Sequence, residues 1–415
     1  MTLAVVIVGA GQAGLQLASS LRENGFCGRI CILGDEAHPP YQRPPLSKAF
    51  LSGTFSQELL WMQEPDYFAQ NAIDFRPSTR VRYIDREARM VETVAGSIIP
   101  YDKLILAIGA RNRTLQDVTD RTCRSHSIRS LDDSRSLRAA LATAKRMVIV
   151  GAGFLGLEVA AVARAANIDV DIVESGPLAL GRAVSSITSR ALQEHHEKLG
   201  SNFHFGETVA DINSESETDN IRLSSGKMLQ ADSILVAIGV EPNVELAASA
   251  ALEVRNGIVV DHAFRTSDPD IYAIGDCATF SYGHAYQRLV RLESVQNAVD
   301  HARAVALNII GLSEEYDQVP LFWSDQAGLR LQIAGVADPT DRAILRADLV
   351  GETASIFRFR DERLVAVESI NRPGDHMQAR KLLKTRAPLR PEEAEDPDFS
   401  LKALNERHLS AGHSR

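Results

Sequence analysis

Two stretches decide the fold: LAVVIVGAGQAG at residues 3–14 and MVIVGAGFLG at residues 147–156. Each is a short apolar run, rich in Val and Ile, that passes directly into G-x-G-x-x-G and then into apolar residues at helical spacing. The order strand, glycine turn, helix is typical of a dinucleotide-binding βαβ unit. One such pattern is weak evidence, but two in the same context, 142 residues apart, predict two dinucleotide sites in one chain.

The three glycines of each turn have different physical tasks. The first permits the tight turn, the second lets the backbone approach a pyrophosphate, and the third lets the helix pack closely on the strand. The pyrophosphate then lies at the helix N-terminus, where free N–H groups and the helix dipole favour anions. The glycines are Gly9, Gly11 and Gly14 in the first turn and Gly151, Gly153 and Gly156 in the second.

An acidic residue closes each βαβ unit. The strand predicted after the first helix, residues 30–33, ends near Asp35, and its counterpart in the second unit, residues 169–173, ends at Glu174. A carboxylate about 20 residues after such a turn is placed to accept a hydrogen bond from a ribose hydroxyl. Asp35 and Glu174 are therefore predicted to bind the two riboses.

The rest of the chain divides at further apolar segments. Residues 103–110 and 232–240 are near copies, and each is a predicted buried strand followed by glycine, which suits a crossing between domains. Residues 270–276 form another predicted strand that ends in Gly-Asp, and residues 297–309 follow as a helix. From residue 319 onward the pattern changes to alternating strands, which favours a separate α+β domain.

These segments predict an α/β fold with two Rossmann-like dinucleotide-binding domains and a C-terminal α+β domain. The first domain is predicted to be discontinuous, formed by residues 1–109 and 240–318. The second is predicted to comprise residues 110–239, and the C-terminal domain residues 319–415.

Composition argues against several classes of function. The chain has 45 Lys and Arg against 54 Asp and Glu, a net charge of −9 that disfavours nucleic-acid binding. No apolar run approaches the ~20 residues of a membrane helix, and the chain starts without a basic, cleavable leader, so we expect a cytoplasmic protein. Four cysteines without a C-x-x-C pair are too few for a disulfide scaffold, and burial is the expected role of Cys27 and Cys31.

The motifs together resemble the glutathione-reductase-like flavoprotein oxidoreductases, and within them the NADH-dependent ferredoxin reductases that serve bacterial oxygenases. Besides the two glycine turns, the resemblance rests on four segments that extend it over nearly the whole chain. They are PYQRPPLSK at residues 40–48, GDCA at 275–278, ESVQNA at 293–298 and FWSDQ at 322–326. The first and last of these are the most specific, because the glycine turns alone indicate only two dinucleotides.

By this resemblance the first turn binds FAD non-covalently and the second binds NADH. Asp35 would accept from the adenosine ribose, Asp276 would bond the ribityl or phosphate end, and Val295 and Trp323 would lie near the isoalloxazine ring. The other residues implied for FAD are Gly9, Gly11, Ala13, Gly14, Arg43, Lys48, Val81 and Arg129. Those implied for NADH are Gly151, Gly153, Leu155, Gly156, Glu158, Glu174, Arg182 and Gly239.

The residue type at position 174 favours NADH over NADPH. A carboxylate there accepts from a free ribose 2′-hydroxyl and repels the additional phosphate of NADPH, which calls instead for an arginine. Arg182 lies eight residues further on, and the resemblance implies that it reaches the bound nucleotide. If Arg182 reached the 2′ position, the preference for NADH would soften.

The resemblance also implies the catalytic chemistry. Hydride passes from NADH to the flavin as a two-electron unit and leaves as single electrons, while the protein supplies orientation and charge. Lys48 and Glu158 are predicted to act beside the reacting end of the flavin. The segment 41–48, where related disulfide reductases carry redox cysteines, contains no cysteine, and Cys277 has no cysteine partner in the sequence. Electrons are therefore expected to leave the flavin directly.

The implied partner is a small acidic 2Fe–2S ferredoxin that supplies a cytochrome P-450 or a Rieske-type oxygenase. Residues 372–390 contain six basic side chains against one acidic, a net +5 that leaves −14 for the rest of the chain. Local charge governs docking because salt screens distant charges over ~8 Å. Arg372, Arg380, Lys381 and Lys384 are therefore predicted to dock the ferredoxin, although the same residues also suit a solvated helix face.

Two alternatives to a ferredoxin reductase remain open at this stage. One is a rubredoxin reductase or a similar electron carrier, and the other is an apoptosis-inducing-factor-like flavoprotein whose role is binding, which the acidic charge disfavours. No metal site is predicted. His195 and His196 belong to the polar run EHHEK without a third ligand at metal spacing, so a solvated helix face is expected for them.

Overall fold

The structure is a computed structural model that describes residues 3–115, 121–214, 218–283, 288–312, 316–346 and 352–412. The chain forms two compact units. The first unit comprises Met1–Gln42, Glu58–Arg111 and Glu241–Pro320, and the second comprises Arg43–Gln57, Asn112–Val240 and Leu321–Arg415. The predicted division into three domains stays a prediction.

A five-stranded parallel sheet forms the centre of the first unit. Its strands lie in the order Ile271–Ala273, Lys103–Leu106, Ala4–Val8, Arg29–Leu33 and Ile73–Arg76. The central strand is apolar along its length because both faces of a parallel sheet are covered, and Val5, Val6 and Ile7 are buried. The helices Gln12–Glu23 and Val295–Ile309 pack against each other beside this sheet.

The first glycine turn lies between the central strand of this sheet and the helix Gln12–Glu23. The helix ends where the sequence changes to Asn24 and Gly25, and Gly25 has a φ of +79° that glycine adopts without strain. The other elements of the first unit are mostly short. Its remaining strands are Val81–Asp85, Met90–Thr93, Ile98–Pro100, Val254–Arg255, Gly257–Val260, Ala278–Tyr282 and Arg288–Val290, and its remaining helices are Glu58–Leu60, Tyr67–Gln70, Glu245–Ser249 and Gly275–Cys277. Two strands, Ala110–Asn112 and Val240–Pro242, span boundaries between the units.

The second unit repeats the parallel arrangement. Its strands lie in the order Ser201–Phe205, Asp169–Glu174, Arg146–Val150, Ser233–Val236 and Ser125–His126. The second glycine turn leads from Arg146–Val150 into the helix Phe154–Ala165. The remaining elements of this part are the antiparallel strands Val209–Asn213, Asp219–Leu223 and Met228–Ala231 and the helices Pro44–Ser47, Leu131–Leu141 and Ser186–Lys198.

The C-terminal part of the second unit is α+β, as the alternating pattern predicts. Five antiparallel strands lie in the order Leu321–Gln326, Leu329–Gly335, Arg363–Ile370, Ala354–Arg360 and Arg342–Arg346. The turn between the last two strands in sequence places Asp361 and Glu362 at φ values of 47° and 59°, which a two-residue hairpin turn requires. The helices Pro373–Thr385, Pro391–Glu395 and Leu401–Gly412 complete the chain.

Membrane-spanning helices are absent from the described part of the chain, because none of its helices is both long and apolar enough to cross a bilayer.

Candidate active site

The first glycine turn is shaped for a pyrophosphate. A Cβ on Gly9, which has a φ of +114°, would lie 2.1 Å from the Ala107 oxygen, and a Cβ on Gly14 would lie 2.0 Å from the Gly9 oxygen. By contrast, a Cβ on Gly11 would meet no atom within 4 Å. Gly11 offers no side-chain cap to the helix, whose first turn contains no acidic residue. Open backbone N–H groups at a helix N-terminus fit the phosphates of FAD.

The segment that contains Asp276 lies against the same helix. A Cβ on Gly275 would come within 3.2 Å of the Ala13 Cβ and 3.8 Å of the Ala298 Cβ. Asp276 is therefore next to a residue packed on the first turn of Gln12–Glu23. Val295 begins the helix that contains Ala298, where Ser294 accepts a hydrogen bond from the Asn297 N–H at 3.1 Å. The structure thus groups three predicted FAD elements in the first unit: the glycine turn, Asp276 and the helix that Val295 begins.

Of the other two residues predicted for FAD in the first unit, Asp35 lies beside the glycine turn and Val81 lies elsewhere. The Gly9 N–H donates to the Leu33 oxygen at 2.8 Å, and a Cβ on Gly34 would lie 2.8 Å from the Ala10 Cβ. Asp35 follows the strand Arg29–Leu33 and is exposed, while its neighbour Glu36 accepts a hydrogen bond from the Tyr41 hydroxyl. Val81 is buried at the start of an antiparallel strand that belongs to a different sheet from the glycine turn. Asp35 is therefore accessible to a ribose, whereas no described contact links Val81 to the turn.

The second glycine turn repeats the geometry of the first. A Cβ on Gly151, at a φ of +107°, would lie 2.4 Å from the Ala237 oxygen, and a Cβ on Gly156 would lie 2.2 Å from the Gly151 oxygen. Gly153 again has open space, with its nearest atom 3.9 Å away. Leu155 is half-buried in the first helical turn, and Gly239 has open space around its Cβ position.

Glu174 is held against this second turn. Its Oε2 accepts from the Ala152 N–H at 2.9 Å, and its Oε1 accepts from the Gly176 N–H at 2.7 Å. The carboxylate is half-buried and keeps lone pairs for a further donor such as a ribose hydroxyl. Arg182, the other residue predicted to reach the nucleotide, is exposed.

Glu158 is the centre of the polar arrangement in the second unit. It lies on the helix Phe154–Ala165 and is buried, yet its carboxylate has three donors. The Ser47 hydroxyl donates to Oε2 at 2.6 Å, the Ser324 hydroxyl donates to Oε1 at 2.5 Å, and Lys48 Nζ lies 2.7 Å from Oε2. A buried carboxylate needs such partners, because an unpaired one is strongly disfavoured.

Two segments far apart in sequence, residues 44–48 and the strand Leu321–Gln326, converge on Glu158. The turn Pro44–Ser47 is attached to the helix Leu131–Leu141, because the Ser134 hydroxyl donates to the Leu46 oxygen at 2.7 Å. The strand Leu321–Gln326 reaches the helix of Glu158 through Phe322, whose ring centroid lies 4.4 Å from that of Phe154. The ammonium group of Lys48 is thereby fixed, while its side chain keeps about a fifth of its surface exposed.

Three further residues predicted for FAD also lie in the second unit. Arg43 donates a hydrogen bond from Nη1 to the backbone oxygen of Arg129, so the structure brings these two predicted residues together. Trp323 is half-buried on the strand between Phe322 and Ser324. Sequence reasoning did not single out Ser47, Ser324 and Gln326, which form the hydrogen bonds around Glu158. All three belong to the motifs that carried the resemblance.

Two expectations from the sequence are wrong. His195 and His196 are buried rather than solvated, because the strand Leu321–Gln326 covers their side of the helix Ser186–Lys198: His195 Nε2 lies 3.1 Å from the Gln326 oxygen and His196 Nε2 lies 2.9 Å from Gln326 Oε1. Cys27 is exposed, in the loop after the first helix, whereas Cys31 is buried as expected, and burial raises the pKa of its thiol to about 12.

Comparison with known proteins now identifies the family. Residues 3–302 match the model of the pyridine nucleotide-disulphide oxidoreductases, and residues 321–405 match the reductase C-terminal domain. The chain belongs to the pyridine nucleotide-disulphide oxidoreductase family. Among its relatives, it is 44% identical to the rhodocoxin reductase of Rhodococcus erythropolis, covering 98% of this chain and 95% of the relative. It is 36% identical to the putidaredoxin reductase of Pseudomonas putida, with 96% of each chain covered.

Solved structures agree with the sequence relatives. The ferredoxin reductase for the CYP199A2 system from Rhodopseudomonas palustris superposes with a TM-score of 0.94 at 41% identity, covering 97% of this chain and 99% of that one. The covalent complex of putidaredoxin reductase with putidaredoxin gives a TM-score of 0.94 at 34% identity, with 99% of each chain covered. The predicted fold, the FAD and NADH cofactors and the ferredoxin reductase class are thereby confirmed.

Proposed function

We propose that this chain binds NADH at its second glycine turn and takes hydride from it. It then passes single electrons to a small acidic 2Fe–2S ferredoxin that supplies an oxygenase. The observation that carries the proposal is the joint presence of two open glycine turns and the ion pair between half-buried Lys48 and buried Glu158, with no cysteine in the segment 41–48. The redox disulfide of other family branches would need cysteines there. Relatives named as reductases of rhodocoxin and putidaredoxin support the same class of acceptor.

The residues of the first unit that we assign to FAD lie around one helix N-terminus, except Val81, which lies in a different sheet. They are Gly9, Gly11, Ala13, Gly14, Asp35, Val81, Asp276 and Val295. In the second unit we assign Arg43, Lys48, Arg129 and Trp323 to the same cofactor. When bound, FAD accepts two electrons together and releases them one at a time.

The nicotinamide cofactor is assigned to the second turn. Gly153 leaves the backbone open to a pyrophosphate, and the Glu174 carboxylate, already oriented by two backbone N–H groups, accepts from the ribose 2′-hydroxyl. The remaining residues that we assign to NADH are Gly151, Leu155, Gly156, Glu158, Arg182 and Gly239.

Lys48 and Glu158 have separate roles in this proposal. Lys48 supplies a fixed positive charge that favours the electron-rich reduced flavin, and Glu158 holds the ammonium in place through the 2.7 Å ion pair. Two serine hydroxyls fix Glu158 in turn, so the charge is oriented before NADH arrives.

The replacement Lys48→Met tests this assignment. We expect stopped-flow measurements to show flavin reduction by NADH at least about tenfold slower, with the Kd for NADH changed less than threefold, because the substitution removes charge stabilisation rather than nucleotide contacts. Lys402→Met, which removes an exposed lysine of the C-terminal helix, is the matched control. A Lys48→Met enzyme that is reduced at the wild-type rate would refute the role of Lys48.

We further propose that the ferredoxin docks on the helix Pro373–Thr385. Arg380, Lys381 and Lys384 are exposed there, and they share one face with Met377 because their spacings are three and four residues. Arg372 lies just before the helix and pairs with Asp375 at 2.9 Å. An apolar side chain surrounded by lysine and arginine suits an acidic protein surface.

Charge reversal tests the docking surface. Arg380→Glu with Lys381→Glu should raise the KM for a 2Fe–2S ferredoxin and flatten its dependence on salt, because steering of an acidic partner is lost. Arg222→Glu with Lys227→Glu changes the net charge equally at another exposed site and should leave both quantities near wild type. Equal effects of the two double variants would show that the ferredoxin does not dock on the helix Pro373–Thr385.

A rubredoxin is the second candidate acceptor, since the chain is 37% identical over 372 residues to the rubredoxin-NAD(+) reductase of Pseudomonas putida. Cytochrome c reduction with NADH, measured across a panel of ferredoxins and rubredoxins, decides between them by the KM for each. We place the reaction in the cytoplasm, because the exposed Cys27 and Cys123 are both unpaired and such thiols suit a reducing compartment. Cell fractionation tests that location.

A further inference from the structure

A continuous line of buried hydrogen bonds leads away from Glu158 into the second unit. The Ser324 hydroxyl donates to Glu158 Oε1 at 2.5 Å, Gln326 Nε2 donates to Ser324 Oγ at 3.1 Å, and His196 Nε2 lies 2.9 Å from Gln326 Oε1. Ser324, Gln326 and His196 are completely buried. Four side chains from three elements are thus joined without an intervening gap.

The direction of every hydrogen bond in this line follows from the carboxylate. A serine hydroxyl has one proton, so Ser324, which donates to Glu158, must accept from the amide nitrogen of Gln326. The amide oxygen of Gln326 then faces His196, and only a protonated Nε2 can donate to it. His196 Nδ1 is buried and, within the described residues, has no hydrogen-bond partner, which agrees with a neutral ring protonated at Nε2.

The neighbouring histidine anchors the backbone at the same place. His195 Nε2 lies 3.1 Å from the main-chain oxygen of Gln326, and its Nδ1 lies 3.1 Å from Glu352 Oε1. Successive residues of one helix therefore contact both the backbone and the side chain of Gln326. Alternation along the strand places Ser324 and Gln326 on one face, so fixing Gln326 also fixes Ser324 against Glu158.

We propose that Ser324, Gln326 and His196 are positioning residues that set the orientation of the Glu158 carboxylate and, through it, the ammonium of Lys48. The inference rests on the proposed function, in which Lys48 and Glu158 act on flavin reduction. These hydrogen bonds orient the Glu158 carboxylate and do not conduct protons. The amide oxygen of Gln326 carries no proton in its stable form, so it cannot pass one on. Removing one member leaves buried polar groups unpaired and frees Glu158 to turn.

The first test reads the hydrogen-bond direction without using activity. Nitrogen-15 NMR of histidine in the flavin-loaded protein should show His196 neutral and protonated at Nε2. Gln326→Leu should shift that signal, while His301, which is buried in the first unit, should keep its own. A His196 protonated at Nδ1 in the wild-type protein would overturn the proposed direction of the line.

The second test asks whether these residues act through Glu158. We expect Gln326→Leu to slow flavin reduction by NADH about tenfold, with the Kd for NADH within twofold, because a misplaced group slows the reaction more than it weakens binding. In the Glu158→Gln background, the same substitution should change the rate less than twofold. An equal loss in both backgrounds would show that Gln326 does not act through Glu158.

A conservative variant separates positioning from general destabilisation. His196→Gln keeps an N–H donor toward Gln326 and should reduce flavin near the wild-type rate, whereas His196→Leu should match Gln326→Leu. Melting temperature and flavin content are measured for each variant, and equal slowing by both His196 substitutions overturns the positioning role. A Glu158→Gln protein that is reduced at the wild-type rate would instead refute the proposed function of Glu158. The NMR result alone would then show whether the hydrogen bonds from Glu158 to His196 run in the proposed direction.

Discussion

The two glycine turns of the chain have the same backbone geometry but differ in how their acidic residues are held. In both turns a Cβ on the first glycine would collide with the carbonyl of the residue that follows the neighbouring strand, and the second glycine has open space. At the first turn, Asp35 is exposed and the adjacent Glu36 is bonded to Tyr41. At the second, the Glu174 carboxylate accepts from two backbone N–H groups.

This difference shows that a shared motif specifies the phosphate cradle and leaves the rest of each nucleotide site to be built separately. The first and third glycines of each turn are constrained by backbone contacts, which leave no room for a side chain. The acid is constrained only by its place at the end of a strand, so it can be a free acceptor in one site and part of the turn in the other. Glu174 therefore supports the turn, in addition to the nucleotide selection that we propose for it.

The largest expected effect comes from filling the open position in each turn. Gly11→Ala and Gly153→Ala place a methyl group where no protein atom lies within about 3.9 Å, so neither should disturb the apo fold. Gly11→Ala should weaken FAD binding at least about thirtyfold, roughly 2 kcal/mol, through lost backbone contacts to phosphate. Gly153→Ala should keep its flavin and raise the KM for NADH by a similar factor.

Flavin absorbance after gel filtration and NADH-dependent ferricyanide reduction measure the two quantities. Loss of flavin from Gly153→Ala, or full flavin content in Gly11→Ala, would contradict the assignment of FAD to the first turn and NADH to the second. Gly9→Ala serves as a reference for a variant in which the fold itself is disturbed, because its Cβ would lie 2.1 Å from a carbonyl oxygen.

A second prediction concerns the acid at the second turn. Glu174→Arg should lower the ratio of kcat/KM for NADH over NADPH at least tenfold, about 1.4 kcal/mol, because it exchanges a group that repels a 2′-phosphate for one that attracts it. Glu174→Gln keeps an acceptor oxygen and should lower the ratio less. Glu197→Arg introduces the same charge change at an exposed position on the same unit. An unchanged ratio in Glu174→Arg would remove Glu174 from nucleotide selection.

Local patterns predicted most strands of the two parallel sheets, but not Ile73–Arg76, Ser201–Phe205 or Ser125–His126. The strand Arg146–Val150 begins one residue before its predicted start, and the helix Val295–Ile309 begins two residues before its own. These errors are small because apolar periodicity and glycine turns are local signals. The pairing of Lys48 with Glu158 came only from the resemblance, since the two residues are 110 positions apart in the chain.

The contacts around Glu158 show what sequence patterns could not supply. Ser324 reaches Glu158 across 166 residues, and Gln326 reaches His196 across 130. The polar run EHHEK predicted solvated histidines because periodicity describes one helix and says nothing of a strand from the C-terminal part that covers it. Side-chain partners of this kind depend on packing between distant segments, which no local pattern encodes.

The smallest expected effect is on the pH dependence of stability, and it comes from one buried histidine in each unit. Burial lowers the pKa of His301, in the first unit, to about 3 and that of His196, in the second, to about 4, from the ordinary 6.5. The unfolded chain takes up a proton near pH 6.5 while the folded chain does not, so stability present at neutral pH is lost as the pH falls through 6.5. Each histidine should contribute about 0.7 kcal/mol of that loss between pH 7 and pH 6.

His301→Asn and His196→Gln should each flatten this pH dependence by the contribution of one histidine, because neither replacement titrates. Asparagine keeps an acceptor for the Gly275 N–H, which lies 3.3 Å from His301 Nδ1, and glutamine keeps the donor toward Gln326. Urea unfolding at pH 7 and pH 6, followed by circular dichroism, gives the free energies of unfolding. Part of the dependence should persist in both variants, since burial also lowers the pKa of His376 to about 4. One variant could flatten the pH dependence of stability while the other does not. In that case only one of the two buried histidines stays unprotonated in the folded protein. The two units would then differ in their interiors as well as in their glycine turns.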